Sequence, residues 1–286
     1  MPRFILQALM ALSMWPCSAS AGYHVDAVEV DPSSVTHGQY SLVNIHPHNT
    51  EFFTEGLLFH NGVLLESTGL DGASYIREIG PNFTVTKEFR FPPNLFGEGI
   101  AVLDNKIYAL TYKSKTGFIL DRDTFEQLGT FHFETTTGEG WGMTTDGTSL
   151  IVSDGSSAIL FFDPTSMAVT RSIQVSYATD GSPVDLINEL EYVNGELLAN
   201  VWFTNDVLRI DPSTGRVREV LNMDHLPTLE GHVDLMEDAT LKNDAVMNGI
   251  AYNPANGHVY MTGKLWDSMF EVDLNVPRRR IRRHPA

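Results

Sequence analysis

The chain has 286 residues and a formal charge of −17, with 42% hydrophobic and 19% charged residues. This composition supplies enough apolar residues for a core and excludes a disordered chain, a coiled coil and a collagen-like fibre. The length fits one large all-β or barrel domain, or two ordinary domains. The acidity argues against nucleic-acid binding, which would need a basic face.

Residues 1–21 have the pattern of a secretory signal peptide, with a positive start, an apolar segment at 4–15 and a small-residue cleavage site ending at Ala21. The apolar segment is too short to span a membrane, and no other stretch approaches that length. The single cysteine, Cys17, lies inside the predicted signal peptide, so cleavage leaves no disulfide and no cysteine nucleophile. We therefore expect an exported protein, periplasmic or secreted, whose residues 22–277 form one domain. A frayed hydrophobic N-terminus is the alternative.

The charges are unevenly distributed along the chain. Residues 278–286 hold five of the 19 cations, whereas residues 22–277 hold all 36 acids and 13 cations, a net charge of −23. Because like charges repel and stay solvated, we predict that 278–286 is a disordered basic tail. Contact of this tail with an anionic surface is the alternative.

A pattern repeats five times along the chain. Each copy opens with a polar residue, which we call its anchor, followed by an apolar strand. The anchors are separated by 43, 41, 49 and 60 residues, close to the period of a propeller blade. The five anchors are Glu55, Glu98, Glu139, Asn188 and Asn248.

Each anchor is followed by a tight turn and three further short strands. Asn-Gly and Asp-Gly pairs favour such hairpin turns because they adopt positive φ at little cost. The turns are at Asn61-Gly62, Asp104-Asn105, Asp146-Gly147, Asn194-Gly195 and Asn256-Gly257. Fourth strands are predicted at 85–91, 127–133 and 169–175. Five copies of four antiparallel strands predict an all-β fold, a five-bladed β-propeller.

The fifth copy ends after its third strand. A spare strand of the same character precedes the first copy at 40–45. We expect this N-terminal strand to complete the last blade and close the ring, which removes open sheet edges. The two longer spacings place insertions at 177–186 and 224–246, and we expect these to be loops on the face that carries the site.

The anchors are candidates for a functional site, because the inner strands of a propeller line a central channel where equivalent positions converge. Lys264 and Trp202 end second strands, and Trp141 lies two residues after an anchor. Carboxylates and a lysine in an aromatic hollow have displaced pKa values, which suits proton transfer. In the structural alternative, each Glu-Gly pair joins adjacent blades: the carboxylate accepts backbone N–H bonds and the glycine allows close approach.

Two weaker motifs remain. His46 and His48 could be metal ligands, but a solvated loop is favoured. Asn82-Phe83-Thr84 is an N-glycosylation sequon, which matters only in a eukaryotic host.

Taken together, these stretches resemble the plant-type (papaya-type) glutaminyl cyclases, also called glutamine cyclotransferases. The resemblance runs in family order from about residue 40 to 274 and implies a five-bladed propeller. The matching stretches are Phe53-Thr54-Glu55-Gly56-Leu57, Glu66-Ser67-Thr68-Gly69, Phe96-Gly97-Glu98-Gly99, Glu139-Gly140-Trp141-Gly142, Ser153-Asp154-Gly155, Asn188-Glu189-Leu190-Glu191, Ala199-Asn200-Val201-Trp202, Asn248-Gly249-Ile250-Ala251 and Thr262-Gly263-Lys264-Leu265-Trp266.

The resemblance implies cyclisation of an N-terminal glutamine of a peptide or protein to pyroglutamate, with release of ammonia. It implies Glu98 as the proton shuttle and Glu55 as the residue that holds the α-amine. It also implies that Asn188 and Lys264 bind the carboxamide oxygen.

Trp141 and Trp202 are then expected to wall the pocket and exclude water. Tyr112 stands where many relatives have tryptophan; it keeps an aromatic wall and adds a hydroxyl. No cofactor and no metal are expected, and the expected partners are peptides or proteins that begin with glutamine. We expect a monomer with no bound nucleic acid and no membrane span.

Two other functions stay open at this stage. A calcium-dependent propeller lactonase could use Glu55, Asn188 and Asn248 as oxygen ligands. A non-catalytic binding propeller is the second, although both site carboxylates, Glu55 and Glu98, are present.

Overall fold

The computed structural model describes residues 40–274 and two short preceding strands, β1 (Tyr23–His24) and β2 (Thr36–His37). The predicted signal peptide, 1–21, and basic tail, 278–286, lie outside the described residues. Within the described part of the chain, no helix is long and apolar enough to cross a membrane.

The described strands form five antiparallel sheets, which confirms the five-bladed propeller. The first blade consists of β4 (Thr54–His60), β5 (Val63–Thr68), β6 (Tyr75–Ile79) and β7 (Val85–Arg90). The second consists of β8 (Gly97–Leu103), β9 (Lys106–Thr111), β10 (Thr116–Asp121) and β11 (Gln127–His132). The third consists of β12 (Met143–Thr145), β13 (Leu150–Ser153), β14 (Ala158–Phe162) and β15 (Val169–Gln174).

The last two blades receive extra strands from outside the repeat. The fourth consists of β17 (Ile187–Val193), β18 (Glu196–Val201), β19 (Asp206–Ile210) and β20 (Arg216–Asn222). β16 (Ser176–Tyr177) and β2 pair in parallel with β20. The fifth consists of β21 (Met247–Asn253), β22 (His258–Gly263), β23 (Ser268–Asp273) and the N-terminal β3 (Ser41–Pro47).

The ring is joined at the fifth blade by strands from opposite ends of the chain. β3 pairs antiparallel with β23, from Pro47 opposite Ser268 to Ser41 opposite Asp273. β3 therefore covers the edge that β23 would otherwise leave open.

Local turn chemistry explains the hairpins between first and second strands. Asn61-Gly62, Asp104-Asn105 and Asn194-Gly195 have positive φ at both residues, as a type I′ turn requires.

The predicted fourth strands are confirmed, each ending one residue earlier than expected.

The first strands of neighbouring blades pack against each other around the channel. Glycine is needed at the closest approaches. A Cβ on Gly99 would lie 2.3 Å from the backbone nitrogen of Met143, and one on Gly142 would lie 2.2 Å from the carbonyl oxygen of Asn188. Gly99 directly follows the anchor Glu98, and a Cβ on Gly56, which follows the anchor Glu55, would lie 2.9 Å from the backbone nitrogen of Ile100 in the next blade. At these two anchors the following glycine thus allows close approach of blades, as the structural alternative expected.

The insertion at 224–246 lies between the fourth and fifth blades and contains a 3₁₀ helix, Val233–Leu235, and α1 (Ala239–Asp244). The Asp238 side chain caps α1 by accepting from the backbone N–H groups of Thr240 and Leu241. The insertion packs Val233 and Leu241 onto Phe53, which is close to the first anchor.

Candidate active site

Four of the expected site residues lie together at one end of the channel. Glu55, Glu98 and Asn188 lie at the beginnings of the first strands β4, β8 and β17, and Lys264 directly follows the second strand β22. Because these strands are antiparallel, the start of a first strand and the end of a second strand are at the same end of a blade. All four side chains are buried.

Glu55 and Lys264 form a buried ion pair. The Lys264 Nζ donates to Glu55 Oε1 at 2.8 Å, although the residues are 209 positions apart. Lys264 Nζ also lies 4.6 Å from the centroid of the Phe53 ring, within cation–π range. The pair places a cation and an anion side by side in an aromatic environment.

The Glu98 carboxyl lies close enough to that of Glu55 for each group to influence the protonation of the other. Burial raises the pKa of Glu98 well above its ordinary value, and the negative charge of Glu55 raises it further. Burial also raises the pKa of Glu55, but the Lys264 ammonium opposes that change. The two carboxyl groups therefore differ in their surroundings: Glu55 is paired with a cation, and the larger rise in pKa falls on Glu98.

Four buried polar atoms near this cluster have no hydrogen-bond partner among the described residues. They are Glu98 Oε2, Asn188 Oδ1, Trp202 Nε1 and Asn248 Oδ1. Buried polar groups are normally paired, because an unpaired group costs about 1–3 kcal/mol. Their grouping at one end of the channel indicates a site that offers hydrogen bonds to a polar ligand.

Aromatic rings enclose the cluster on two sides. Trp141 and Trp202 meet edge to face, with centroids 5.3 Å apart. The ring centroid of Tyr112 lies 5.8 Å from that of Phe96, and the Phe96 centroid lies 6.1 Å from that of Phe53. The expected wall residues therefore fall into two groups, one around Trp202 and one around Phe96.

Phe53 and Phe96 were not among the predicted site residues. Each stands two positions before a site carboxylate, Glu55 or Glu98, and side chains two apart in an extended segment lie on the same face. The repeated Phe-x-Glu spacing was the signal that would have found them.

Glu139 differs from the other carboxylate anchors. It lies before β12 rather than within a strand, and its side chain is 24% exposed. It accepts a 3.0 Å hydrogen bond from Trp141 Nε1 and pairs with Lys113 at 3.2 Å. Glu139 therefore orients a wall residue.

Comparisons with known proteins identify the family of the chain. A family model described as glutamine cyclotransferase matches residues 8–274. The chain belongs to the glutamine cyclotransferase family. An Arabidopsis thaliana protein named glutaminyl-peptide cyclotransferase is 34% identical over 238 residues, which are 82% of this chain and 71% of that protein. The crystal structure of Myxococcus xanthus glutaminyl cyclase matches with a TM-score of 0.72 and 34% identity, covering 82% of this chain and 95% of that one.

In this cyclotransferase, the inter-blade bonding that the structural alternative assigned to the anchors is made by Glu189. Glu189 occupies the position that glycine holds in other copies. Its carboxylate accepts from the backbone N–H groups of Leu57 at 3.1 Å and Ile250 at 2.9 Å, joining the fourth, fifth and first blades. Burial raises its pKa well above the ordinary value, and Glu191 adds to the increase.

The interpretation of His46 and His48 as a solvated loop was wrong. His48 is buried, with Nε2 2.9 Å from Glu66 Oε1 and Nδ1 2.8 Å from the carbonyl oxygen of Trp266. The Nε2 atom of His46 lies 3.0 Å from Glu271 Oε2, and the His46 side chain is mostly buried. Ring closure brings β3 between neighbouring elements, and this buries both imidazoles.

The calcium-ligand set considered above does not fit the geometry. Glu55 is already engaged by the Lys264 ammonium, which would repel a cation. The Asn248 side-chain amide donates to the carbonyl oxygen of Thr54 at 3.0 Å and so ties the fifth blade to the first. Among the described residues, no three His, Cys, Asp or Glu side chains are grouped to hold a metal ion.

Proposed function

We propose that this protein is a glutaminyl-peptide cyclotransferase that works by metal-independent general acid–base catalysis. It converts the N-terminal glutamine of a peptide or protein to pyroglutamate. The observation that carries the proposal is the buried Glu98 carboxyl beside the Glu55–Lys264 ion pair, in a chain of this family.

In the reaction, the substrate α-nitrogen attacks the side-chain carboxamide carbon of the same glutamine. A bond forms between these two atoms, and the bond from that carbon to the amide nitrogen breaks. Glu98 in its ionised form takes one proton from the α-nitrogen. The neutral acid so formed, which the raised pKa of Glu98 favours, gives one proton to the departing nitrogen, which leaves as ammonia. A raised pKa suits both transfers, since an acid–base catalyst works best with a pKa near the operating pH.

Glu55 and Lys264 bind different polar groups of the substrate. The Glu55 carboxylate, held ionised by Lys264, accepts from the substrate α-amine. Lys264 uses one of its three donors on Glu55 and has others for the carboxamide oxygen, where negative charge develops. The unpartnered Oδ1 of Asn188 is an acceptor, so it takes a hydrogen bond from the N–H group of the carboxamide rather than binding the carboxamide oxygen that the sequence resemblance implied.

The aromatic side chains hold the substrate in a compact geometry. Trp141 and Trp202 form one wall, and Tyr112, packed on Phe96, forms part of the other. Folding the glutamine side chain back onto its own amine is the orientation that makes an intramolecular reaction fast. Exclusion of water strengthens the contacts with Glu55 and Lys264.

The test is ammonia release from a glutamine-initiated dipeptide amide, with and without EDTA. We expect release at the same rate in both. Release that is lost with EDTA and restored by calcium would contradict the metal-independent mechanism. No release from folded wild-type protein would contradict the function, and lactone hydrolysis with a calcium titration would then be measured.

Glu139 gives a second test through the orientation of Trp141. Glu139→Ala removes the acceptor of the Trp141 indole N–H, a hydrogen bond worth about 1 kcal/mol, so we expect kcat/KM to fall about fivefold. Glu139→Gln keeps an acceptor oxygen and should retain most of the activity. Equal losses in the two variants would show that the charge of Glu139 matters rather than its hydrogen bond to Trp141.

Export of the protein and its monomeric state stay predictions from the sequence.

A further inference from the structure

The proposed reaction gives no role to the anchor Asn248, which is buried at the beginning of β21. In four blades the anchor lies in a β-bulge, where the first strand has one residue more than the second; these anchors are Glu55, Glu98, Asn188 and Asn248. Bulges next to active sites re-aim side chains. Asn248 therefore has the same strand position as three residues of the proposed site.

The side-chain amide of Asn248 has a fixed orientation. Its Nδ2 donates to the carbonyl oxygen of Thr54 at 3.0 Å. Because an N–H group must face this acceptor, the amide oxygen Oδ1 points the other way. Oδ1 is buried and has no hydrogen-bond partner among the described residues. Asn248 thus offers an unpartnered acceptor, and the residue that it contacts, Thr54, directly precedes Glu55.

The backbone around Asn248 is held by the fourth blade. The Gly249 N–H donates to Asn200 Oδ1 at 3.0 Å, and the Ile250 N–H donates to Glu189 Oε2 at 2.9 Å. Asn248 is therefore fixed to the fourth blade through its neighbours and to the first blade through its own side chain. An acceptor held in this way binds a ligand with little cost of ordering.

Asn248 has a second free acceptor beside it. The first strands contact one another in chain order around the channel, so β21 lies between β17 and β4, and Asn248 lies between Asn188 and Glu55. Asn188 also has an unpartnered Oδ1. Two neighbouring amide oxygens fit a group with two N–H donors. In the proposed reaction Glu55 already binds the α-amine, so this group is the carboxamide nitrogen of the glutamine.

We propose that Asn248 Oδ1 binds one N–H of the substrate carboxamide while Asn188 Oδ1 binds the other, so that the pair selects a primary carboxamide. This inference deepens the proposed function and rests on it. In the tetrahedral intermediate the same nitrogen keeps both N–H groups and gains a lone pair, which accepts the proton from Glu98. A substrate without one of these N–H groups leaves a buried acceptor unpaired, and sites built to bind a substrate N–H reject such analogues.

The test compares kcat/KM for Gln-Gly-amide and for the same peptide with a methyl group on the glutamine side-chain nitrogen, which removes one N–H. The pyroglutamyl product is measured for both, because the methylated peptide releases methylamine. In the wild type we expect the unmethylated peptide to be better by about tenfold or more. Asn248→Leu has the branched shape of asparagine without the acceptor, and the ratio should fall at least about fivefold. Asn248→Asp keeps an acceptor oxygen and should retain the preference.

Asn200→Leu is the matched control. Asn200 is also a buried asparagine that joins the fourth and fifth blades, but its Oδ1 is already bonded to the Gly249 N–H. This variant should lower stability and leave the ratio unchanged. Asn248→Thr is the second test variant if Asn248→Leu does not fold. Its oxygen lies one bond closer to the backbone than Oδ1, so the same fall in the ratio is expected.

The outcomes separate this inference from the proposed function. A wild-type ratio near one, a ratio that survives Asn248→Leu or Asn248→Thr, or an equal fall in Asn200→Leu overturns the inference. The function then stands, because Gln-Gly-amide is still turned over. No turnover of Gln-Gly-amide by folded wild-type protein overturns both.

Discussion

Replacing Glu98 with glutamine is expected to lower kcat by about 10³-fold, within the 10²–10⁴-fold contribution of general acid–base catalysis. Glutamine has the shape of a protonated glutamic acid but cannot accept and return the proton. Because burial and Glu55 raise the pKa of Glu98, the wild-type side chain is already favoured in its neutral form. The fold should therefore be retained, which circular dichroism and thermal unfolding would check alongside ammonia release.

Glu134→Gln is the matched control for this variant, since it makes the same change at an exposed side chain of the same blade. It should leave kcat unchanged. A fully active Glu98→Gln would contradict the assignment of the proton shuttle. In the wild type, kcat/KM should fall as the pH is lowered, with a midpoint above the ordinary glutamate pKa of about 4.3. The reason is that the raised pKa of Glu98 causes its base form to become protonated at a higher pH.

The blades and the position of the site follow from local sequence features. Pairs such as Asn61-Gly62 form tight turns wherever they stand, so hairpins can be read along the chain. The repeated anchors then predict which residues converge, and Glu55, Glu98 and Asn188 do lie at one end of the channel.

What the sequence could not show depends on closure of the ring. The pairing of Glu55 with Lys264 joins the first and fifth blades, and nothing local to either residue indicates it. Glu189 was hidden because it replaces a glycine of the repeat, so its carboxylate was not compared with the anchors. His48 follows the closing strand that the sequence did predict, but its burial depends on contacts with Glu66 of the first blade and the carbonyl oxygen of Trp266, which lie far from it in the sequence.

A large loss of stability is expected when His48 is replaced at the point where the ring closes. His48 follows β3, Glu66 lies on β5 in the first blade, and Trp266 lies between β22 and β23 in the fifth. The buried Glu66 carboxylate contacts His48 and also accepts from the Thr54 hydroxyl at 2.6 Å. His48→Leu would leave that carboxylate buried without its cation. We expect the free energy of unfolding to fall by about 3–5 kcal/mol, the usual cost of breaking a buried pair.

The matched variant is the double substitution His48→Leu/Glu66→Leu, which removes both charges. Replacing a buried ion pair with apolar residues is often neutral, so the double variant should be more stable than the single one. Urea unfolding of the wild type and both variants measures this. If the double variant were as unstable as His48→Leu, this would show that His48 does not offset the cost of burying the Glu66 carboxylate.

The same pair predicts how stability changes with pH. Burial by itself lowers the pKa of His48, but the Glu66 carboxylate, the Trp266 carbonyl oxygen and Asp267 together outweigh burial and raise it above the ordinary value. A raised folded-state pKa means that the stabilisation is complete below the unfolded value of about 6.5 and is lost as pH rises through the folded value. We therefore expect the stability difference between the wild type and His48→Gln to be larger at pH 6 than at pH 9, because His48→Gln carries no titrating group. An equal difference at both pH values would contradict a protonated His48 in the folded protein.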